Sequence, residues 1–71
     1  MTELIVMVVK VIEVIGESSK SWEDAAQNAV KAAAKTVRNI IGIEAVGWTA
    51  DVKNSDITRY KTTTKIAFGV D

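Results

Sequence analysis

Residues 16–24 read G-E-S-S-K-S-W-E-D, and this segment decides the fold because it joins a β-branched run to an alanine-rich helical pattern. The Ser21 side chain is placed to accept a hydrogen bond from the backbone N–H of Asp24, and Asp24 to reach back, as in a capping box. Before it, the residues from Met7 to Ile15 are mainly Val and Ile, which favours a strand bounded by Gly16. The segment therefore predicts the order strand, then helix.

A helical period follows from Ser21 to about Asn39, where apolar residues recur at spacings of three and four. The predicted buried stripe is Trp22, Ala26, Ala29, Val30, Ala33, Val37 and Ile40. Acidic side chains lie in the first turn and basic ones towards the end, which complements the helix dipole. Because the stripe is mostly alanine, we expect a sheet to approach the helix closely.

Two more strands follow, from Ile41 to Val52 and from Ile57 to Val70, and we expect the first of them to bend at its glycines. The turn residues K-N-S-D at 53–56 lie between them and predict an antiparallel hairpin. The face of the last strand expected to contact the helix carries Tyr60, Thr62, Thr64, Ile66, Phe68 and Val70. The sequence predicts a single α+β domain over 1–71, with the order strand, helix, strand, strand. Its three-stranded antiparallel sheet wraps around one helix, with residues 1–6 as an extension of the first strand and Met7 as an alternative start.

The composition indicates self-association. The chain has 71 residues, of which 48% are hydrophobic and 25% charged, and it contains no Cys and no His. A domain of this size forms a marginal core, and the usual supports of disulfides and zinc are absent from the sequence. We therefore expect apolar surface to be buried between copies of the chain.

The charge balance disfavours partners that carry many negative charges. Nine basic and nine acidic residues give a net charge of zero, so no overall field attracts nucleic acid or an anionic membrane. The apolar run from Leu4 to Val9 is too short to span a bilayer, and it lacks the features of a signal peptide. We expect a cytoplasmic protein.

Catalysis is disfavoured by the residue inventory. Without Cys, His or a glycine-rich phosphate loop, none of the usual activated nucleophiles can be assembled. Glu13 and Glu44 are candidates for a carboxylate pair on adjacent strands, although such residues are more often solvated or ion-paired. Oxygen ligands also gather near the helix start, at Glu17, Ser18, Ser19, Glu23 and Asp24. They do not form a contiguous calcium loop, and helix capping explains them better.

The tryptophans and the cations of the last strand leave alternatives open. Trp22 is predicted to pack against the core. Strict alternation places Trp48 on one face with Gly42 and Glu44, where an indole can stack on a planar ligand, whereas a bulge at Gly47 turns it towards the helix. The outward row of Arg59, Lys61 and Lys65 is expected to pair with acids on neighbouring strands, with phosphate binding as the alternative.

Three segments resemble the dodecin family. They are V-K-V-I-E-V-I-G-E-S at 9–18, K-T-V-R-N at 35–39 and T-K-I-A-F at 64–68, and the similarity covers nearly the whole chain after Met7. The resemblance implies a hollow homododecamer of strand-helix-strand-strand subunits that stores flavins, such as riboflavin or FMN, in stacked pairs. The implied protein is a non-enzymatic store of a small ligand, whose partners are further copies of itself.

The resemblance also identifies candidate ligand-binding residues. Family members that bind flavin have a stacking tryptophan two residues before the glutamate matching Glu44, and a glutamine early in the last strand. These positions are Gly42 and Lys61 here, and Trp48 is the candidate substitute stack. The S-W-E segment from Ser21 resembles a divergent branch described as calcium dodecins, which lacks the flavin tryptophan. Calcium binding or a purely structural cage is therefore the alternative function, with the metal ligands unknown.

Overall fold

The computed structural model describes residues 8–70. The expectations for residues 1–6 and for Met7 as an alternative start lie outside the described residues. The elements are β1 (Val8–Ser18), α1 (Trp22–Ala33), β2 (Ile40–Lys53) and β3 (Asp56–Val70). The predicted order of strand, helix, strand, strand is confirmed, as is the α+β class.

The three strands form one antiparallel sheet with β3 in the centre, in the order β1, β3, β2. Val8 at the start of β1 lies opposite Val70, and Ser18 at its end lies opposite Tyr60. On the other side, the β2 and β3 hairpin is paired from Lys53 and Asp56 at the turn to Ile40 and Phe68. Both β1 and β2 are therefore edge strands within the described sheet.

The first strand does not stop at Gly16, as the sequence suggested, but continues through it to Ser18. Gly16 is buried and lies opposite Thr62. A Cβ built on this glycine would lie 1.9 Å from the Ala25 carbonyl oxygen and 2.9 Å from the Ala29 Cβ. Gly16 is thus the point at which the helix backbone rests on the sheet, rather than the end of the strand.

The helix begins as predicted, with one difference in the cap. Ser21 is the N-cap in an extended conformation, and its Oγ accepts a hydrogen bond from the Asp24 N–H at 2.9 Å. The Asp24 carboxylate, however, accepts a hydrogen bond from the Ser18 Oγ at 2.6 Å. It therefore ties the helix start to the end of β1, instead of closing the reciprocal bond to Ser21.

Replacing Ser21 with alanine is expected to lower the free energy of unfolding by about 1 kcal/mol, because one N–H of the first turn loses its acceptor. Urea denaturation at a fixed protein concentration measures the loss. Ser19→Ala is the matched control, because Ser19 is exposed and makes no side-chain hydrogen bond to the described part of the chain. Equal stability of the two variants would contradict the assigned cap.

The helix ends at Ala33 and not near Asn39, so the predicted end was wrong. Beyond Ala33 the backbone tightens into i to i−3 hydrogen bonds, from the Lys35 N–H to the Ala32 oxygen and from the Thr36 N–H to the Ala33 oxygen. Asn39 then adopts a left-handed conformation with φ 60°. The helical spacing of apolar residues continues into this segment, although its backbone has left the helix.

The alanine stripe packs closely on the sheet, as expected. Its buried members are Ala25, Ala29 and Ala33, so the stripe is centred on a spacing of four and includes Ala25, which the prediction omitted. Ala26 and Val30 are half-buried beside it.

No helix within residues 8–70 is long and apolar enough to cross a membrane.

The predicted hairpin turn is confirmed at residues 53–56. Asn54 and Ser55 both have positive φ, at 54° and 69°, which is the pattern of a two-residue type I′ turn. Such a turn matches the right-handed twist of its strands and fixes their register. The facing of β3 residues is therefore also fixed, and Thr62, Thr64 and Ile66 are buried towards the helix as predicted.

Polar groups under the helix are satisfied by backbone oxygens. The Thr62 hydroxyl donates to the Trp22 carbonyl and the Thr64 hydroxyl donates to the Val14 carbonyl, both at 2.8 Å. Trp22 packs edge-on against Tyr60, with ring centroids 4.8 Å apart, and its Nε1 donates to the Thr49 carbonyl at 2.8 Å. The predicted packing role of Trp22 is confirmed, and it joins α1 to both strands of the hairpin.

The bend expected in β2 is present as three register shifts, of which the middle one lies between Ala45 and Gly47. After this shift Trp48 lies opposite Thr62, so both side chains are on the helix side of the sheet. Trp48 is nevertheless 61% exposed, because α1 packs mainly on β1 and β3 and scarcely reaches β2. The bulge alternative for Trp48 is the correct one.

Candidate functional site

A shallow open groove of about 510 Å³ lies on the face of the sheet opposite the helix. Its lining residues are Val11, Gly42, Ile43, Glu44, Lys65 and Ala67. Val11 on β1 and Gly42 on β2 both lie opposite Ala67 on the central strand. These small and apolar residues form the floor of the groove across all three strands.

A row of charges borders this floor. Lys65 on the central strand lies opposite Glu13 on β1 and opposite Glu44 on β2. The expectation that Glu13 and Glu44 lie on adjacent strands was wrong, because β3 separates β1 from β2. The two carboxylates therefore flank one lysine, and directly opposite charges of this kind stabilise a sheet.

Gly42 leaves one side of the groove empty. A Cβ built at this position would meet no atom within 4 Å, and the φ of Gly42 is not positive. The backbone here therefore accepts a Cβ without strain or collision within the described subunit. Gly42 therefore contributes only backbone to the lining of the groove.

Two of the four predicted ligand-binding residues, Gly42 and Glu44, come together in the groove. Lys61 lies on the same face of β3 but four residues from Lys65, about 13 Å along the strand at about 3.3 Å per residue. Its ammonium group contacts the Asp51 carboxylate at 3.2 Å. Trp48 lies on the helix side of the sheet, so a single subunit does not bring it to this groove.

Two of the three outward cations, Arg59 and Lys61, form ion pairs with neighbouring acids, which is the interpretation that the sequence favoured. The Arg59 guanidinium contacts the Glu17 carboxylate at 2.9 Å across the sheet, and Lys61 is held by Asp51. Both pairs are substantially exposed, so each contributes only a few tenths of a kcal/mol. Their main consequence is that neither cation is left without a counter-charge.

Two of the acidic residues near the helix start, Glu17 and Asp24, already have partners. Glu17 pairs with Arg59, while the Asp24 carboxylate accepts the Ser18 hydroxyl. Within residues 8–70, no group of three or more metal-ligating side chains is close enough to hold an ion. A single subunit therefore does not assemble a cation site from these residues over its described range.

Four residues that line the groove were missing from the predicted ligand set: Val11, Ile43, Lys65 and Ala67. Alternation along the last strand placed Lys65 and Ala67 outward, so that signal was present in the sequence. The residues that lie opposite them on β1 and β2 could not be predicted from the sequence, because those pairings depend on the central position of β3 and on the bulges in β2.

A family model for Dodecin matches residues 8–71. The chain belongs to the dodecin family. The match includes every element of the fold and every residue of the groove. The family expectation drawn from the three sequence segments is thus confirmed, and the order of elements agrees with it.

Solved dodecin structures superimpose on most of the chain. Dodecin from Streptomyces davaonensis is 23% identical with a TM-score of 0.87, over 90% of this chain and 94% of that one. A Thermus thermophilus protein is 25% identical with a TM-score of 0.87, over the same shares. A comparison with curated protein sequences found no match.

The description of a third relative names a bound ion, calcium. It is the calcium dodecin of Mycobacterium tuberculosis, described as a calcium-chelating antigen with a novel calcium-binding site. The identity is 31% with a TM-score of 0.78, over 90% of this chain and 91% of that chain. The similarity that the S-W-E segment suggested to this branch of the family is thus supported by a structure.

Proposed function

We propose that this dodecin is a non-enzymatic protein that binds and stores a small planar ligand of the flavin class in the groove around Gly42. The observation that carries the proposal is the groove itself. Its floor of Val11 and Ala67 suits an apolar ring, and Glu44 at its border offers hydrogen-bond acceptors to ring N–H groups. This is also the region that the family resemblance assigns to the flavin.

The proposal requires a second copy of the chain to close the groove. One subunit offers an open face, and an isolated shallow depression buries too little of a ligand to hold it tightly. Val11 and Ile15 on the same face are 56% and 60% exposed, which is unusual for large apolar side chains on a stable monomer. We propose that these surfaces are covered in a hollow homododecamer, whose seams bury the ligand from both sides.

Storage rather than catalysis follows from the side chains around the groove. Its ionisable groups are Glu44 and Lys65, with Glu13 beside them, and the chain has no Cys or His to act as a nucleophile or a base near neutral pH. A ring enclosed between two subunits would be shielded from solvent. The protein would therefore limit the reactions of its ligand.

Two measurements test the assembly and the ligand. Native mass spectrometry of the purified protein is expected to give a homododecamer, with added mass where flavin is retained. Riboflavin titrated with micromolar protein is expected to lose fluorescence as its ring enters the groove. A folded monomer would contradict the proposed assembly, and undiminished riboflavin fluorescence would contradict the flavin ligand.

Calcium is the second candidate, and the 31% identity to calcium dodecin favours it. Within residues 8–70 the carboxylates of one subunit form no calcium site, so we propose that any calcium binds between subunits, for example with Glu23 in the exposed first turn of α1. After removal of bound metal by a chelator, calorimetry with calcium is expected to show binding that magnesium does not reproduce. If neither calcium nor flavin binds, a purely structural cage remains.

A further inference from the structure

We infer that a second copy of the chain covers Trp48, through a two-fold contact on the helix side of β2. This surface, the Trp48 face, consists of Ala45, Trp48, Ala50 and Val52 on β2, with Ile57 of β3 beside them. The inference rests on the self-association in the proposed function and assigns one seam of it. It does not depend on the flavin, because this face lies on the other side of the sheet from the groove.

Burial stops abruptly between the central strand and β2. Thr62 and Thr64 on β3 are fully buried under α1. Their direct partners on β2 are Trp48 and Ala45, and both of these are exposed. Directly opposite residues point to the same side of a sheet, and a helix about 10 Å wide covers about two strands that lie about 4.8 Å apart. The third strand is therefore left bare on the side where α1 packs.

One flank of α1 forms a wall beside this face. The Trp22 indole N–H donates to the Thr49 carbonyl oxygen of β2 at 2.8 Å, so this flank of the helix is turned towards β2. Ala26 and Val30 follow Trp22 at spacings of four, are half-buried and continue the same flank. The flank and the Trp48 face together form an apolar channel along β2.

The Trp48 face carries no charged side chain. Asp51 points outward, where its carboxylate contacts the Lys61 ammonium group at 3.2 Å. Val52 follows Asp51 directly and so points to the helix side, with Ile57 opposite it. A charged partner would lose its hydration here without gaining a counter-charge. The surface that covers this face is therefore apolar.

The area of the face fits one side of a protein interface. Trp48, Val52 and Ile57 are 61%, 64% and 48% exposed, which leaves on the order of 300 Å² of apolar surface on one strip. A stable interface of standard size buries about 800 Å² on each partner, of which somewhat more than half is apolar. The strip supplies the larger part of that apolar area, whereas a small ligand would cover only a fraction of it.

A second copy fits because small and large side chains alternate along the strip. On the helix side of β2, Ala45 is followed by Trp48, then by Ala50 and then by Val52. A two-fold axis reverses the direction of the strip in the second copy. Each Trp48 then packs on an alanine of the other copy instead of meeting the other Trp48, and the same patch serves both subunits.

Trp48→Lys tests this contact by placing a charge in the centre of the face. The variant is expected to dissociate at a protein concentration at least tenfold higher than the natural protein in analytical ultracentrifugation. Its far-UV circular dichroism should be unchanged, because Trp48 is exposed in the subunit. Ser19→Lys is the matched control, since Ser19 is exposed beyond the end of β1, which β3 separates from β2. Undiminished assembly of Trp48→Lys, or an equal loss in the control, would overturn the inference.

Trp22→Phe gives a second test that does not depend on how Trp48→Lys folds, because Trp48 is then the only tryptophan. Iodide quenching of its fluorescence is expected to be several-fold weaker in the assembled protein than in N-acetyltryptophanamide. Equal quenching in an assembled protein would overturn the inference and leave the proposed assembly standing. Shielding that develops only when riboflavin is added would assign the face to the ligand and also overturn it. A folded monomer of the natural protein would overturn the proposed assembly as well.

Discussion

Replacing Gly16 with alanine is expected to destabilise the fold by roughly 3 kcal/mol or more, at the upper end of what overpacking costs. The added methyl group would lie 1.9 Å from the Ala25 carbonyl oxygen, a backbone atom that moves only if the helix moves. Its second contact is the Ala29 Cβ at 2.9 Å. The helix would therefore have to lift from the sheet along its buried alanine stripe.

Urea denaturation followed by circular dichroism measures this effect, at one protein concentration because assembly contributes to the apparent stability. Gly42→Ala is the matched control, since it adds the same methyl group to a strand where no atom lies within 4 Å. We expect the control to unfold close to the natural protein. Gly16→Ala protein as stable as the control would refute the close approach of helix and sheet.

Placing tryptophan at Gly42 is expected to tighten riboflavin binding about tenfold or more, since stacking of one aromatic ring on another contributes on the order of 1–3 kcal/mol. A Cβ at Gly42 would meet no atom of the described chain within 4 Å, so the tryptophan side chain would start from open space on the groove side of the sheet. The apolar floor beneath it and Glu44 beside it are unchanged. Fluorescence titration with riboflavin gives the two dissociation constants.

Gly42→Leu is the control for this gain. Leucine adds apolar surface at the same place without a π system, so it is expected to recover only a small part of the effect. If leucine tightens binding as much as tryptophan, stacking is not the source of the affinity. If neither variant changes it, the ligand does not touch this part of the groove.

The fold was predictable because local signals agreed along the chain. The Ser21 cap, the alanine stripe and the Asn54 and Ser55 turn each specify a conformation through interactions within a few residues. The end of α1 was not predictable in the same way, because the apolar spacing runs on past Ala33. The backbone instead leaves the helix through i to i−3 hydrogen bonds and through the left-handed conformation of Asn39.

The site was predictable only in part, because it depends on which strands are neighbours. Gly42 and Glu44 lie close in sequence and meet in the groove. The contribution of Lys65 and the separation of Glu13 from Glu44 follow from β3 lying in the centre. The side on which Trp48 lies follows from one bulge between Ala45 and Gly47. Gly47 marked a bend in the sequence, but it left open whether the bend would turn Trp48 to the other face.

The central place of β3 also governs how this chain can fold during synthesis. β1 has no partner in the described sheet except β3, which is made last of the three strands. On the ribosome, the Val and Ile run of β1 must therefore wait unpaired, along with the helix that is to cover it. Contacts this distant in sequence form slowly. The nascent chain therefore exposes the hydrophobic β1 segment for longer than β2 or β3, and we expect it to depend on chaperones at that stage.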